Sequence, residues 1–283
     1  MNLFKLIALI LFFMNSGFGQ DLKILIADGT ERFPKRYDLQ PSVESLKKEE
    51  QESIKKAALE KTPEISIENY QISSEESNFR GDFRLLDVAK GFFISREIEF
   101  RAYLYTAFSP KIKRNYQGII VFSISENGTK FKTTAHYVYK FRGDKFIRQV
   151  SDINGNFLSE IAIFSELPIK TELSRNVRII EFSPDGINKI GSQKIYSSIP
   201  QKQRTPWKKD KSQPAKRIYT PPKVSAVKLF AVKKIAKAPE FHQEKWTQIN
   251  DRWSLVENFS LPSECLIEDL TDYIEIFKPP ISK

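Results

Sequence analysis

Cysteine occurs once in this chain of 283 residues, at Cys265, so no internal disulfide holds it together. Histidine and methionine occur only twice each. His136 and His242 lie too far apart in sequence for metal-ligand spacing, and no Gly-x-Ser-x-Gly elbow is present. Glycine is sparse, at 11 residues, and none of it forms a phosphate-cradling loop after a strand. Beyond the first twenty residues no apolar run is long enough to span a bilayer as a helix. These absences exclude a disulfide scaffold, a His/Cys zinc site, an elbow-type hydrolase and a nucleotide-loop enzyme. What is present is aromatic: 22 phenylalanines and 10 tyrosines within a chain that is 40% hydrophobic. That composition suits packed sheets held by their own core.

Residues 1–19 have the three parts of a secretory signal. Lys5 charges the start, Leu6–Met14 is apolar, and Gly17-Phe18-Gly19 offers small residues around a cut after Gly19. The expectation is a secreted or periplasmic protein with no transmembrane segment in its mature chain.

The net charge of +10 is concentrated. Between Gln201 and Lys223, eight cations face one acid, Asp210, leaving +7 in a stretch that also holds Pro206, Pro214, Pro221 and Pro222. Residues 200–223 therefore read as a basic, proline-rich loop or linker. Its charge suits an anionic surface such as phospholipid or lipopolysaccharide, with Trp207 available to insert. Outside the cytoplasm, nucleic acid is the weakest partner for it.

The chain repeats itself. Phe79-Arg80-Gly81-Asp82 recurs as Phe141-Arg142-Gly143-Asp144, and sixty residues separate Ile119-Ile120-Val121-Phe122-Ser123 from Ile179-Ile180-Glu181-Phe182-Ser183. A period near sixty residues, filled with short aromatic and β-branched runs, fits a four-stranded meander of the kind repeated in propellers. The predicted organisation is an N-terminal segment at 20–78, a first β repeat at 79–140, a second at 141–199, the linker, and a β segment at 224–283. Strands are expected at Leu85–Val88, Phe100–Ala107, Ile119–Ser123 and Tyr137–Tyr139, and again at Phe146–Val150, Glu160–Glu166, Ile179–Ser183 and Lys194–Tyr196. Further strands are expected at Val227–Val232, Glu244–Asn250, Trp253–Phe259 and Tyr273–Phe277, and an amphipathic peripheral helix from Ser42, its cap, to Leu59. The fold class is mainly β, with propeller-like repeats and one short N-terminal helix. Recurrence makes the Arg-Gly-Asp tripeptides structural turns rather than adhesion ligands.

Inside the second repeat, Asp152, Asn154 and Asn156 alternate along a tight loop, followed by Leu158 and Glu160. Alternate residues of such a loop converge, and hard oxygens suit Ca²⁺. Here the chain resembles the FG-GAP, integrin-α-type propeller repeat, whose loop reads Asp-x-Asp/Asn-x-Asp-Gly-x-x-Asp. The resemblance implies Ca²⁺ held by Asp152, Asn154, Asn156, the Leu158 carbonyl and Glu160, and a role in adhesion or ligand binding. Phe157 stands where that pattern has glycine, and the first repeat has Lys90, Phe92 and Ile94 in place of the ligands. A plain Asn-Gly hairpin turn is the alternative reading of the same residues.

Catalytic candidates are few. His136 and His242 sit in strand-like runs, and Asp28 with Glu31, or Glu268, Asp269 and Asp272, are the acids a glycosidase would draw on. The functional expectation is an exported, non-catalytic binding or scaffold protein with an unknown protein or polysaccharide ligand. The rivals are an envelope-polysaccharide or anionic-membrane module using the basic segment, and a secreted hydrolase with loop carboxylates.

Overall fold

A computed structural model describes residues 22–34, 41–59, 83–109, 113–124, 131–140, 143–169, 172–183, 186–200, 222–233, 239–249 and 251–262. The signal segment, nearly all of the basic linker, the first Arg-Gly-Asp, Arg142 of the second and the strand expected at Tyr273–Phe277 lie outside them.

The protein is mainly β, with two antiparallel sheets and two helices among the described residues. The first sheet is a meander of β2 (Phe83–Gly91), β3 (Phe100–Ser109), β4 (Arg114–Ile124) and β5 (Phe131–Lys140). The second runs β6 (Asp144–Val150), β7 (Glu160–Ile169), β8 (Glu172–Ser183), β9 (Gly186–Ile199), β10 (Lys223–Lys233), β11 (Glu240–Ile249) and β12 (Arg252–Pro262). The N-terminal strand β1 (Leu22–Asp28) joins it through β10.

The repeat is visible strand by strand. Ile119–Ser123 lies in the third strand of one meander and Ile179–Ser183 in the third strand of the other. The second meander is not a separate sheet, however. Lys223–Ala226 of β10 pairs directly with Tyr196–Ile199 of β9, so the ladder continues across the ends of the basic linker into an eight-stranded sheet. The strands of residues 223–262 therefore extend this sheet, and no closed sheet is found among the described residues.

Three cores stack in order. Strand periodicity sends alternate residues to opposite faces, and several central strands are apolar on both. Tyr103, Tyr105, Ile120 and Phe122 face the helices, while Ala102, Leu104, Ile119 and Val121 face the second sheet. Ile161 and Ile163 meet that inter-sheet core, whereas Ala162 and Phe164 point into a third, closed by Ile26, Leu229, Ala231 and Phe241. Continuous apolar runs such as Ile161–Phe164 are what burial on both faces requires.

The predicted single helix is two: α1 (Pro41–Glu44) and α2 (Lys48–Leu59). Ser42 is not a cap. It lies within α1 and its hydroxyl donates to Asp87 on β2. The second helix is docked, since Ile54 and Ala58 are buried against the first sheet and Glu50 is buried with them. The Glu50 carboxylate accepts hydrogen bonds from Arg101 and Tyr103, which satisfies a charge that burial would otherwise penalise.

Candidate functional site

Two places bring chemistry-bearing residues together. One is a cavity of about 320 Å³ where the segment after β1 crosses the edge between the sheets. Its apolar wall is Phe33, Phe146, Ile147, Phe164 and Ile195, and its polar lining includes Asp28, Glu31, Arg32, Ser42, Asp87 and Arg148. Phe146 and Phe164 stack at 4.4 Å with an interplanar angle of 10°, and the Arg148 guanidinium lies over both rings. Arg148 also reaches Glu31 at 3.2 Å, each about half exposed.

Both inner carboxylates are committed to the fold. Asp87 accepts from the Ser42 hydroxyl, the Val88 amide at 2.8 Å and the Ile147 amide at 2.9 Å, tying α1, β2 and β6 together. Burial pushes its pKa upward against those three donors. Asp28 accepts from the Thr30 amide and hydroxyl and from Lys228 at 2.8 Å. These donors outweigh burial and lower its pKa. Of the expected acids, Asp28 and Glu31 are thus in one cavity, and Glu268, Asp269 and Asp272 lie outside the described residues. Asp87 was missed by sequence reasoning, although a lone acid in Leu85-Leu86-Asp87-Val88-Ala89 is a legible sign of a buried brace. His136 is buried in β5 with its Nε2 2.6 Å from the Tyr105 hydroxyl, and His242 contacts Ser260 on β12. Neither lines the cavity.

The second place is the loop from Asp152 to Glu160. The Asp152 carboxylate accepts the amides of Gly155, Asn156 and Phe157 at 2.6–3.1 Å, which is the inward curl expected of alternating oxygens. Phe157, at the position where the FG-GAP pattern has glycine, adopts a left-handed backbone with φ of 68°. Its ring is exposed, with the Arg96 guanidinium 4.3 Å from the centroid. The loop curls around the Asp152 carboxylate, and the side chains of Asp152, Asn156 and Glu160 take different protein partners. Lys233 of β10 places its ammonium 2.7 Å from Asp152 Oδ2, where a cation would stand. Asn156 donates to Glu181 and accepts from the Leu158 amide. Glu160 turns to the Ile153 amide. Among the described residues no three His, Cys, Asp or Glu side chains share a metal-sized site. Glu160 is fully buried, and burial, with the charges of Asp152 and Glu181 adding to it, raises its pKa to about 8.

Of the second Arg-Gly-Asp, Gly143 and Asp144 are described, and the acid has a different job from the amide capping expected of it. Gly143 has φ of 69°, which glycine tolerates, and Asp144 opens β6 with its side chain buried. It accepts from Tyr139 and Arg178, while the Gln117 side chain pairs with its backbone at both N–H and C=O.

No protein-family model, curated protein or solved structure matches the chain. Among the described residues no helix is long and apolar enough to cross a membrane.

Proposed function

We propose that the protein is an exported, non-catalytic binding module whose small-ligand site is the cavity between the N-terminal segment and β6. The observation that carries this reading is the commitment of Asp28 and Asp87 as hydrogen-bond acceptors to the fold's own donors. A general acid must hold a transferable proton toward its substrate. Burial raises the Asp87 pKa, but both of its oxygens are taken up by the Ser42 hydroxyl and the Val88 and Ile147 amides rather than turned to a ligand. What remains for a ligand is an aromatic wall with Arg148, Arg32 and Glu31 at the mouth, which is the composition of a recognition site. A guanidinium on a flat apolar wall suits a ligand bearing a carboxylate.

The strand-by-strand agreement of the two meanders supports a duplicated four-stranded unit of the propeller-blade kind as the building block. The signal segment supports export with a cut after Gly19, and the basic linker supports attraction to an anionic surface. Ligand-dependent thermal stabilisation tests the module. Carboxylate-bearing small molecules should raise the melting temperature of the full chain, since a ligand of the folded state stabilises it by mass action. Arg148→Ala should abolish that rise. Turnover of a glycoside or ester that disappears in Asp87→Asn would replace this reading with the hydrolase.

A further inference from the structure

We propose that β12, the free edge of the eight-stranded sheet, pairs antiparallel with β12 of a second copy of this chain. β12 ends the strand order, and among the described residues β11 is its only ladder partner. An unpaired edge presents a row of N–H and C=O groups to any strand that fits them. The opposite edge is blunted, because Asp87 of the first sheet takes the Ile147 amide of β6. β12 has no such cover. Leu255 is 49% exposed and Val256 65%, and Ile249 across the turn is 56% exposed. Leu255 pairs with Trp246, three residues from Ile249, so Leu255 and Ile249 lie on opposite faces and the hairpin is open on both.

The register on β11 fixes what the edge presents. Ile249 and Arg252 close the hairpin as a hydrogen-bonded pair, and such pairs alternate along an antiparallel ladder. Thr247 and Ser254 are therefore the next bonded pair, and the backbone groups of Trp253 and Leu255 point to the open side. Val256 has no partner on β11, since Trp246 pairs with Leu255 and Lys245 with Glu257. This bulge puts Arg252 and Glu257, opposite Ile249 and Lys245, on one face of the hairpin. Trp253 and Leu255 share the other.

A two-fold axis at Ser254 matches this edge to itself. Trp253 then meets the partner's Leu255. With the bulge skipped, as it is on β11, Arg252 meets the partner's Glu257. The axis makes each contact twice, so the pairing gains two aromatic–aliphatic pairs and two ion pairs. Arg252 is exposed and has no carboxylate partner among the described residues. Glu257 binds Lys245 through Oε2 at 3.2 Å, with both side chains about half exposed, which leaves Oε1 for a second cation. An apolar edge alone would accept many strands. The match of Arg252 to Glu257 across the axis is what selects this chain, and it joins two eight-stranded sheets into one.

Sedimentation velocity of the full chain, from micromolar to tenth-millimolar concentration, tests the pairing. A monomer–dimer equilibrium that follows mass action is expected. Arg252→Glu and Glu257→Arg each set like charges against one another at both sites, and either alone should weaken association about tenfold or more. Mixed together, the two variants restore opposite charges at both sites and should associate as the wild type does. Leu255→Pro removes an N–H that β11 does not use, so it should abolish dimers while circular dichroism stays that of the wild type. A chain that is monomeric at every concentration overturns the proposal. One that dimerises only after residues 263–283 are removed does so too, by giving the edge to the chain's own C-terminal segment. A dimer untouched by Leu255→Pro and by both charge variants lies on another surface and overturns it. So does a mixture that associates no better than its components.

Discussion

Arg178 Nη2 stands 2.5 Å from Asp144 Oδ2 with both side chains almost wholly inside the protein. This pair links β8 to the first residue of β6, and Tyr139 of the other sheet donates to the same carboxylate oxygen at 2.6 Å. One acid thus joins the two sheets at the point where the chain passes between them. Removing one member of a buried pair strands the other charge, at a cost of about 3–5 kcal/mol. Arg178→Met should therefore lower the melting temperature steeply, as followed by circular dichroism. Arg178→Met with Asp144→Asn should recover part of the loss, because no uncompensated charge remains. Equal melting temperatures for wild type and Arg178→Met would show the pair to be inert.

Glu160 sets a pH dependence of known sign. Its folded pKa of about 8 lies above the ordinary carboxylate value of 4.5. Below 4.5 both folded and unfolded chains hold the proton. Between 4.5 and 8 only the folded chain does, so stability falls as pH rises through that window and levels off above it. One pKa unit corresponds to about 1.4 kcal/mol, so the change is on the order of 4–5 kcal/mol. Glu160→Gln, neutral at every pH, should flatten this part of the stability profile measured by urea unfolding from pH 4 to 9. A variant profile parallel to the wild type would contradict the assignment.

The Asp152 loop already holds a positive charge in the Lys233 ammonium. Millimolar Ca²⁺ should accordingly leave the wild-type melting temperature unchanged. Lys233→Ala should lose stability at low Ca²⁺, because the curled carboxylate keeps its three amide donors but loses its cation. Added Ca²⁺ should restore part of that loss by mass action. Calorimetry on the two proteins separates the outcomes, and heat of binding in the wild type would show that Ca²⁺ displaces the lysine.

Local signals carried much of the fold into the sequence. The third strands at Ile119–Ser123 and Ile179–Ser183 were legible because apolar runs and a fixed period do not depend on distant partners. The continuation of the second meander into β10 was not, because it depends on pairing across a linker of more than twenty residues that carries no strand signal. Lys233 was hidden for a similar reason: it lies 81 residues from Asp152, and sequence spacing reports only neighbours. The break after Glu44 and the use of Ser42 as a donor to Asp87 are tertiary effects that override helix propensity.

Gly29 marks where β1 ends against β9. Its amide donates to the Val227 carbonyl at 2.9 Å, and a Cβ added there would overlap the Ile195 carbonyl oxygen. Backbone on both sides leaves no flexible side chain to yield. Gly29→Ala should destabilise by about 3 kcal/mol, in the range of overpacked sites. Chemical unfolding should show a lower midpoint with little change in slope. An unchanged midpoint would mean that β1 can shift along β10 without cost.

The basic linker connects strands whose ends already meet. Ile199 and Lys223 are register partners, so the chain leaves and re-enters the sheet at neighbouring positions. A turn of four or five residues is long enough to join them. Closing a loop costs entropy that grows slowly with length, about 0.6 kcal/mol for each doubling. Replacing residues 201–220 by a short Gly/Asn turn should thus leave stability equal to the wild type or raise it by about 1 kcal/mol. The same replacement should remove seven of the eight cations, and with them the salt-sensitive adsorption to anionic vesicles that the proposed surface role requires. If the shortened protein fails to fold, the linker contributes to the core. If it adsorbs as strongly as the wild type at low salt, the attraction lies elsewhere on the surface.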